Sequence, residues 1–268
     1  MISKIITRKN LSEQFIRLEI RTSESFNATN PGQYVILRSL TEKAGITLPI
    51  IKNEPTRETL TLIAPASDEV IALLSSDPAN NKIGLEGPFG QAFRMEQFGS
   101  VLCIASYSCM IPLLPVISAL RLAGNKITCL LTQNLGTNPI IESEIRKYSD
   151  NWITSDESQK RSFQLLEQTL RIQKFDQVIA IGQTKIIREI TNICTAIRMP
   201  IQAMLFIKDK NMIGKHGIFR VSVCGKTHSI CVDGHNFDAH YTSFDDIAKR
   251  FGSEEPELRN SERTKIPL

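Results

Sequence analysis

The side chains best suited to hold a metal are His216, Cys224, His228 and Cys231, two imidazoles and two thiols in one short stretch. Thiolate and imidazole are the usual ligands of tetrahedral zinc. Their placement decides whether they converge. Gly225-Lys226 reads as a two-residue hairpin turn with glycine at its first central position. Pairing outward from that turn sets Cys224 opposite Thr227, Val223 opposite His228 and Arg220 opposite Cys231. Cys224 and Cys231 then share a face but stand several residues apart, too far for one ion at about 3.3 Å per residue. His228 points to the other face. The four groups do not meet, and no zinc site is expected.

Nothing else has the types and spacing of a catalytic centre. Ser106 and Ser108 lack the glycines of a nucleophile elbow. Asp233, Asp238, Asp245 and Asp246 read as turn and cap residues. The four histidines have no metal spacing on a common helix face. Cys103, Cys129 and Cys194 sit inside apolar runs and read as small core residues. Six cysteines without dense spacing argue against a secreted disulfide scaffold and for a reducing cytoplasm.

These residues need a frame, and 268 of them suffice for two domains and a small lobe. A net charge of +4, without a Lys/Arg run, gives no reason to expect nucleic acid. No targeting signal is evident, because the opening Met1–Ile6 is short and broken by Lys4. The first hundred residues read as short strands with turn signals: Lys4–Thr7, Gln14–Arg21, Gln33–Arg38, Thr59–Ala64 and Lys82–Glu86. That spacing suggests a small antiparallel barrel. One helix, Asp68 to Leu74, interrupts it, with Ser67 as N-cap.

After Gly99 the rhythm changes. Strand runs at Val101–Ala105, Lys126–Leu131, Gln177–Ile181 and Ile201–Phe206 alternate with helical patterns at Pro112–Leu122, Ser162–Gln173 and Lys185–Arg198. Such alternation implies βαβ units and a parallel sheet. Val101 to Leu120 carries no charge and has the length of a membrane span. Pro112 and Pro115 and the strand-turn-helix pattern oppose that reading, so no membrane span is expected. Gly124 is a natural helix stop. The expected division is 1–98, a barrel; 99–207, an α/β domain; 208–251, a small lobe; and 252–268, a polar disordered tail.

Several segments, in order, carry a resemblance. They are Asn30-Pro31-Gly32-Gln33-Tyr34, Gly87-Pro88-Phe89-Gly90, Leu122-Ala123-Gly124-Asn125 and the block Cys231–Arg250, with Phe237-Asp238-Ala239-His240 and Phe244-Asp245-Asp246. With Asn211–Gly234, they resemble the small electron-transfer subunits that carry FAD and a 2Fe–2S cluster. These are the ferredoxin–NADP reductase alpha subunit, its sulfide dehydrogenase relative and the dihydroorotate dehydrogenase electron-transfer subunit. The resemblance implies a ferredoxin-reductase-like fold: an antiparallel FAD-binding-type β-barrel, a parallel NAD(P)-binding-type α/β domain and a C-terminal cluster-type lobe.

The same resemblance locates three cofactor sites, each altered here. The family's R-x-P-L-S/T strand falls on Thr47-Leu48-Pro49-Ile50-Ile51, so Thr47 replaces the diphosphate arginine and Ile51 the polar flavin contact. The glycine-opened helix that holds the diphosphate falls on Asp68-Glu69-Val70-Ile71, with two carboxylates in its first turn. The family's glycine-rich nicotinamide turn reads Ala105-Ser106-Tyr107-Ser108-Cys109-Met110-Ile111-Pro112, and Ala180-Ile181-Gly182-Gln183 matches its A-I-G-P ending. The four cluster ligands fall on Asn211, His216, Phe219 and Cys231. A 2Fe–2S centre takes four ligands, normally thiolates, so the cluster is not expected. The cleft residues implied are Tyr34, Leu37, Pro49, Gly87, Pro88, Gly90 and Gly182, with FAD as the cofactor. No catalytic side chain is assigned.

Two functional expectations follow. One is a non-catalytic accessory or regulatory subunit, with degenerate cofactor sites, beside a larger flavoprotein oxidoreductase. The other is an active FAD-dependent NAD(P)H oxidoreductase that has lost only the cluster.

Overall fold

The computed structural model describes residues 1–22, 26, 28–40, 45–77, 81–106, 109–132, 139–155, 159–205, 220–223, 226–229, 236–239 and 244. Six strands close a barrel in the order β1-β2-β5-β4-β3-β6. They are β1 (Ile2–Asn10), β2 (Phe15–Arg21), β3 (Tyr34–Arg38), β4 (Gly45–Glu54), β5 (Thr59–Pro65) and β6 (Lys82–Phe89). All neighbouring pairs are antiparallel. Alternation decides which side chains fill the interior. Ile16, Leu18 and Ile20 of β2 meet Leu60, Leu62 and Ala64 of β5 there, with Leu48 and Ile50 of β4. The helix α1 (Asp68–Leu74) plugs this core with Val70 and Leu74. Its bounds match the sequence reading, and Ser67 caps it, its Oγ accepting from Val70 N at 3.4 Å.

The second layer is a six-stranded sheet ordered β14-β11-β10-β7-β8-β9. Its strands are β7 (Ser100–Ser106), β8 (Lys126–Thr132), β9 (Asn151–Ser155), β10 (Gln177–Gly182), β11 (Ile201–Leu205) and β14 (Asn236–Asp238). The first five are parallel, and β14 closes one edge antiparallel to β11. Helices α2 (Met110–Leu122) and α3 (Pro139–Arg146) belong with the apolar cluster on one face. Residues of α4 (Gln159–Ile172) and α5 (Thr184–Ala196) pack into the cluster on the other. Val101–Leu120, the uncharged stretch, is a buried strand followed by a helix, and no described helix is long and apolar enough to cross a membrane.

Four elements differ from the sequence expectation: β4, α3, β9 and the three-residue β14. β4 was placed only by resemblance, since its interior Pro49 breaks a strand pattern. β9 has five residues, too few to show a period, and α3 has eight, with the buried Ile141 and Ile145 one helical turn apart. The hairpin of β12 (Arg220–Val223) and β13 (Lys226–Ser229) corrects another expectation. Its register pairs Val223 with Lys226, Ser222 with Thr227, Val221 with His228 and Arg220 with Ser229. The connection is therefore 224–225, not Gly225-Lys226. A two-residue hairpin accepts glycine at either central position, so the glycine alone left the register open.

Candidate functional site

The retained P-G-Q-Y and G-P-F-G segments come together at one end of the barrel. Tyr34 pairs with Pro49 on one side and Phe89 on the other. The Tyr34 and Phe89 rings are 5.9 Å apart and tilted by 40°. Gln33 Nε2 donates to the Gly90 carbonyl at 3.0 Å, and Gln33 Oε1 accepts from Asn30 N at 2.8 Å. Gly87 has φ +131°, and a Cβ there would lie 3.1 Å from the Tyr34 carbonyl oxygen. The peptide before Pro88 is cis. Tyr34, Pro49, Gly87, Pro88 and Gly90 thus form one neighbourhood. Leu37 does not join it, being a fully buried residue of the barrel interior.

β4 explains how the altered motif is presented. Leu48 and Ile50 point inward, while Thr47, Pro49 and Ile51 are half-buried. Opposite β5, Ile50 pairs with Leu62 and Lys52 with Thr61. Ile51 is the extra residue of that bulge, a feature that re-aims a side chain. It packs against the apolar cluster containing Phe93, Met110, Ile111 and Leu114. The bulge was not legible in the sequence, because it depends on the partner strand.

The positions that the resemblance assigns to a diphosphate lie on β4 and at the start of α1. Thr47 offers a hydroxyl where a guanidinium would make charge-assisted bonds. The first turn of α1 carries Asp68 and Glu69, with Val70 N already held by Ser67. Arg38 is nearby, since Ile36 pairs with Thr47 and Arg38 with Gly45. Its Nε donates to Glu86 at 2.9 Å, in an ion pair. Among the described residues, the positions that the resemblance assigns to the diphosphate supply no cation.

The carboxyl edge of the sheet is different. Ser106, Thr132 and Ser155 are register partners across β7, β8 and β9. Each follows by two residues a member of the α4/α5-side cluster or a residue packed on it: Ile104, Leu130 and Ile153. They therefore form a buried row of hydroxyls on that face. Ser162 Oγ donates to Ser155 Oγ at 3.0 Å. Among the described residues, Thr132 Oγ1 is buried with no hydrogen-bond partner. Gly182 ends β10 beside them. A Cβ there would meet Ile187 and Ile186 at 3.5 and 3.6 Å, ordinary contact. Packing therefore does not demand glycine at 182. Tyr107 and Ser108 lie outside the described residues.

So do Asn211, His216, Phe219 and Cys231, together with Cys224 and most of the lobe. Among the described residues, no group of three or more His, Cys, Asp or Glu side chains is placed to hold a metal. Cys103 and Cys129 are register partners, fully buried. Burial pushes the Cys103 thiol up to about 12 and Cys129 well above its ordinary value. Both are core residues, as expected from their apolar runs.

One polar residue that the sequence reading did not single out ties the site's frame together. Asn125 is buried, and its Oδ1 accepts from Phe98 N at 2.7 Å and Gly99 N at 3.0 Å. Its Nδ2 donates to the Glu96 and Leu120 carbonyls at 2.8 and 2.9 Å. The signal was present in the family-like ending Leu122-Ala123-Gly124-Asn125, read there only as a helix stop.

No protein-family model matches the chain. It is 24% identical over 254 residues to a Thermotoga maritima protein described as a dihydroorotate dehydrogenase B (NAD(+)) electron transfer subunit homolog, covering 93% of this chain and 90% of that one. A protein of the adh 3′ region of Clostridium beijerinckii is 21% identical, over 92% of this chain and 88% of its own. In structure, the chain is similar to an NADH-dependent reduced ferredoxin–NADP oxidoreductase chain described in connection with flavin-based electron bifurcation. That match has a TM-score of 0.74 and 24% identity, covering 94% of this chain and 93% of the other. A ferredoxin reductase of carbazole 1,9a-dioxygenase shares the fold at a TM-score of 0.60 and 11% identity, over 77% of this chain and 67% of the other. With the closed barrel and parallel sheet, these likenesses show a ferredoxin-reductase-like fold, and over nearly its whole length the chain is similar to a dihydroorotate dehydrogenase B electron transfer subunit homolog.

Proposed function

We propose that this electron-transfer subunit homologue acts without its own redox chemistry, as an accessory or regulatory subunit beside a larger flavoprotein oxidoreductase in the cytoplasm. The observation that carries the reading is Ile51. At the position of the family's polar flavin contact stands an aliphatic side chain, packed into the cluster with Phe93, Met110 and Leu114. Thr47 and the Asp68-Glu69 turn agree with it. So does the sequence of the lobe, where Asn211, His216 and Phe219 stand at three of the four ligand positions and only Cys231 offers a thiol. The division into a barrel over 1–98, an α/β domain over 99–207 and a degenerate cluster lobe over 208–251 belongs to the same proposal. Tyr34, Pro49, Gly87, Pro88 and Gly90 then serve the frame. The test is the absorption spectrum of natively purified protein with its iron content, and the melting temperature with and without FAD. The expected result is no flavin band, no iron and no FAD-induced shift, since a ligand of the native state must raise the midpoint. A stoichiometric flavin band would overturn it.

A second reading rests on Gly182. Because packing accepts a methyl there, the glycine suits close approach of a ligand to the carboxyl edge of the sheet. On that reading the chain is an FAD-dependent NAD(P)H oxidoreductase without the cluster. An NADH- or NADPH-induced rise in melting temperature that Gly182→Val abolishes supports it; no rise with either nucleotide removes it.

A further inference from the structure

We infer that the barrel and the parallel sheet are locked into one body by an apolar seam wedged by Ile51, so that the two do not part by hinge motion. The inference concerns motion, and goes beyond the cofactor content addressed above. Three independent sets of contacts carry it.

The first is the seam. β5 turns Leu60, Leu62 and Ala64 into the barrel and Ile63 out of it. Ile63 is buried in the same cluster as Val101 and Cys103 of β7 and Met110, Leu113 and Ile117 of α2. Ile51, Leu11 and Phe15 pack against that cluster from the barrel side. Two domains that share a core lose apolar burial if they separate, at about 25 cal/mol per Å² exposed.

The second is the barrel's turn at Gly32, with φ +95°. A Cβ there would lie 2.8 Å from Phe93 Cδ2 and 3.4 Å from Met204 Cε. The turn backbone therefore sits directly on Phe93 and against Met204, a residue of β11. No side chain at 32 cushions this contact.

The third is the connecting segment 90–99, where a hinge would lie. Hinges are a few residues free to absorb φ/ψ changes. Here Gly90 accepts from Gln33, and Phe93 N donates to the Pro31 carbonyl at 3.0 Å. Arg94 N donates to Gln202 Oε1 at 2.9 Å. Glu96, Phe98 and Gly99 are held by Asn125. The segment is thus fastened first to the barrel and then to the sheet, leaving little slack between them.

The test is hydrogen exchange of the full chain in graded urea, read by mass spectrometry on peptides from β2 and β5 and from β7 and β10. A single body loses protection in all four at one urea concentration. Ile51→Asp, which puts a carboxylate into the seam, is expected to separate the barrel midpoint from the sheet midpoint. Ile51→Ala is expected to lower both together. Separate barrel and sheet midpoints in the unaltered chain overturn the inference, as does an Ile51→Asp protein whose midpoints stay joined and unmoved. Should Ile51→Asp not fold, Ile51→Ala decides: a joint fall supports the seam, and a fall confined to the barrel peptides overturns it.

Discussion

Tyr34 and Phe89 face each other from paired strands, with ring centroids 5.9 Å apart, so two motifs far apart in sequence are in contact. Tyr34 is 7% exposed. Tyr34→Ala is expected to cost about 3–4 kcal/mol, the usual loss for a buried aromatic. Tyr34→Phe keeps the ring pair and should cost roughly 1 kcal/mol. Urea unfolding of the two variants measures both.

Asn125 satisfies four backbone groups at the junction of the connecting segment and α2. Asn125→Ala removes these four bonds, although Phe98 N still donates to the Glu96 carbonyl and residue 125 N to the Leu120 carbonyl, and should cost roughly 1–2 kcal/mol. Asn125→Asp keeps the acceptor but sets a buried carboxylate oxygen against the Glu96 and Leu120 carbonyls, and is expected to cost at least as much. Equal stability of the alanine variant and the parent in chemical denaturation would contradict this.

Asp150 accepts from Ile127 N at 2.7 Å and from Arg121 at 2.8 and 2.9 Å. The Ile127 amide first, and then the Arg121 guanidinium, hold its carboxyl below the ordinary range. A lowered folded-state pKa stabilises the fold above the unfolded value of about 3.9. That stability is lost as pH falls through the folded value. Asp150→Asn should therefore lower the melting temperature at pH 7, and the gap to the parent should close in acid below the unfolded value.

Cys103, Cys129 and Cys194 are buried thiols, with Cys103 and Cys194 raised to about 12. Thiolate is the reactive form, so alkylation at pH 7.5 should spare these three in the native protein. All three should label once urea unfolds the chain. Peptide mass spectrometry reads each site separately.

Thr132 Oγ1 is buried and has no hydrogen-bond partner among the described residues. Thr132→Val exchanges that hydroxyl for a methyl of similar shape. The melting temperature is expected to stay or rise, because the unmet desolvation cost disappears. A fall equivalent to more than about 1 kcal/mol would show that the hydroxyl is held in place by a partner in solution.

The sequence was most legible where one period governs a segment. Phe15-Ile16-Arg17-Leu18-Glu19-Ile20 alternates, and β2 follows it. α1 was legible to the residue because Ser67 supplies the cap and Gly-free apolar spacing the rest. β4 was hidden by Pro49, which its neighbour Tyr34 accommodates as a register partner. The bulge at Ile51 is a count of residues against another strand, which no single segment carries. The same holds for the hairpin, where a glycine acceptable at two positions left two registers open. Leu37, assigned to the cleft by resemblance, turns its side chain into the barrel interior, an orientation set by strand alternation.

Among the described residues, β11 gains its outer neighbour from β14, which follows it in the chain after residues 206–235. At a synthesis rate of about 5–20 residues per second, that edge emerges seconds before the strand that covers it. Its carbonyls and amides are exposed to pairing with other nascent chains during that interval. The antiparallel strand made last thus completes that side of a sheet whose other strands all precede it in the chain.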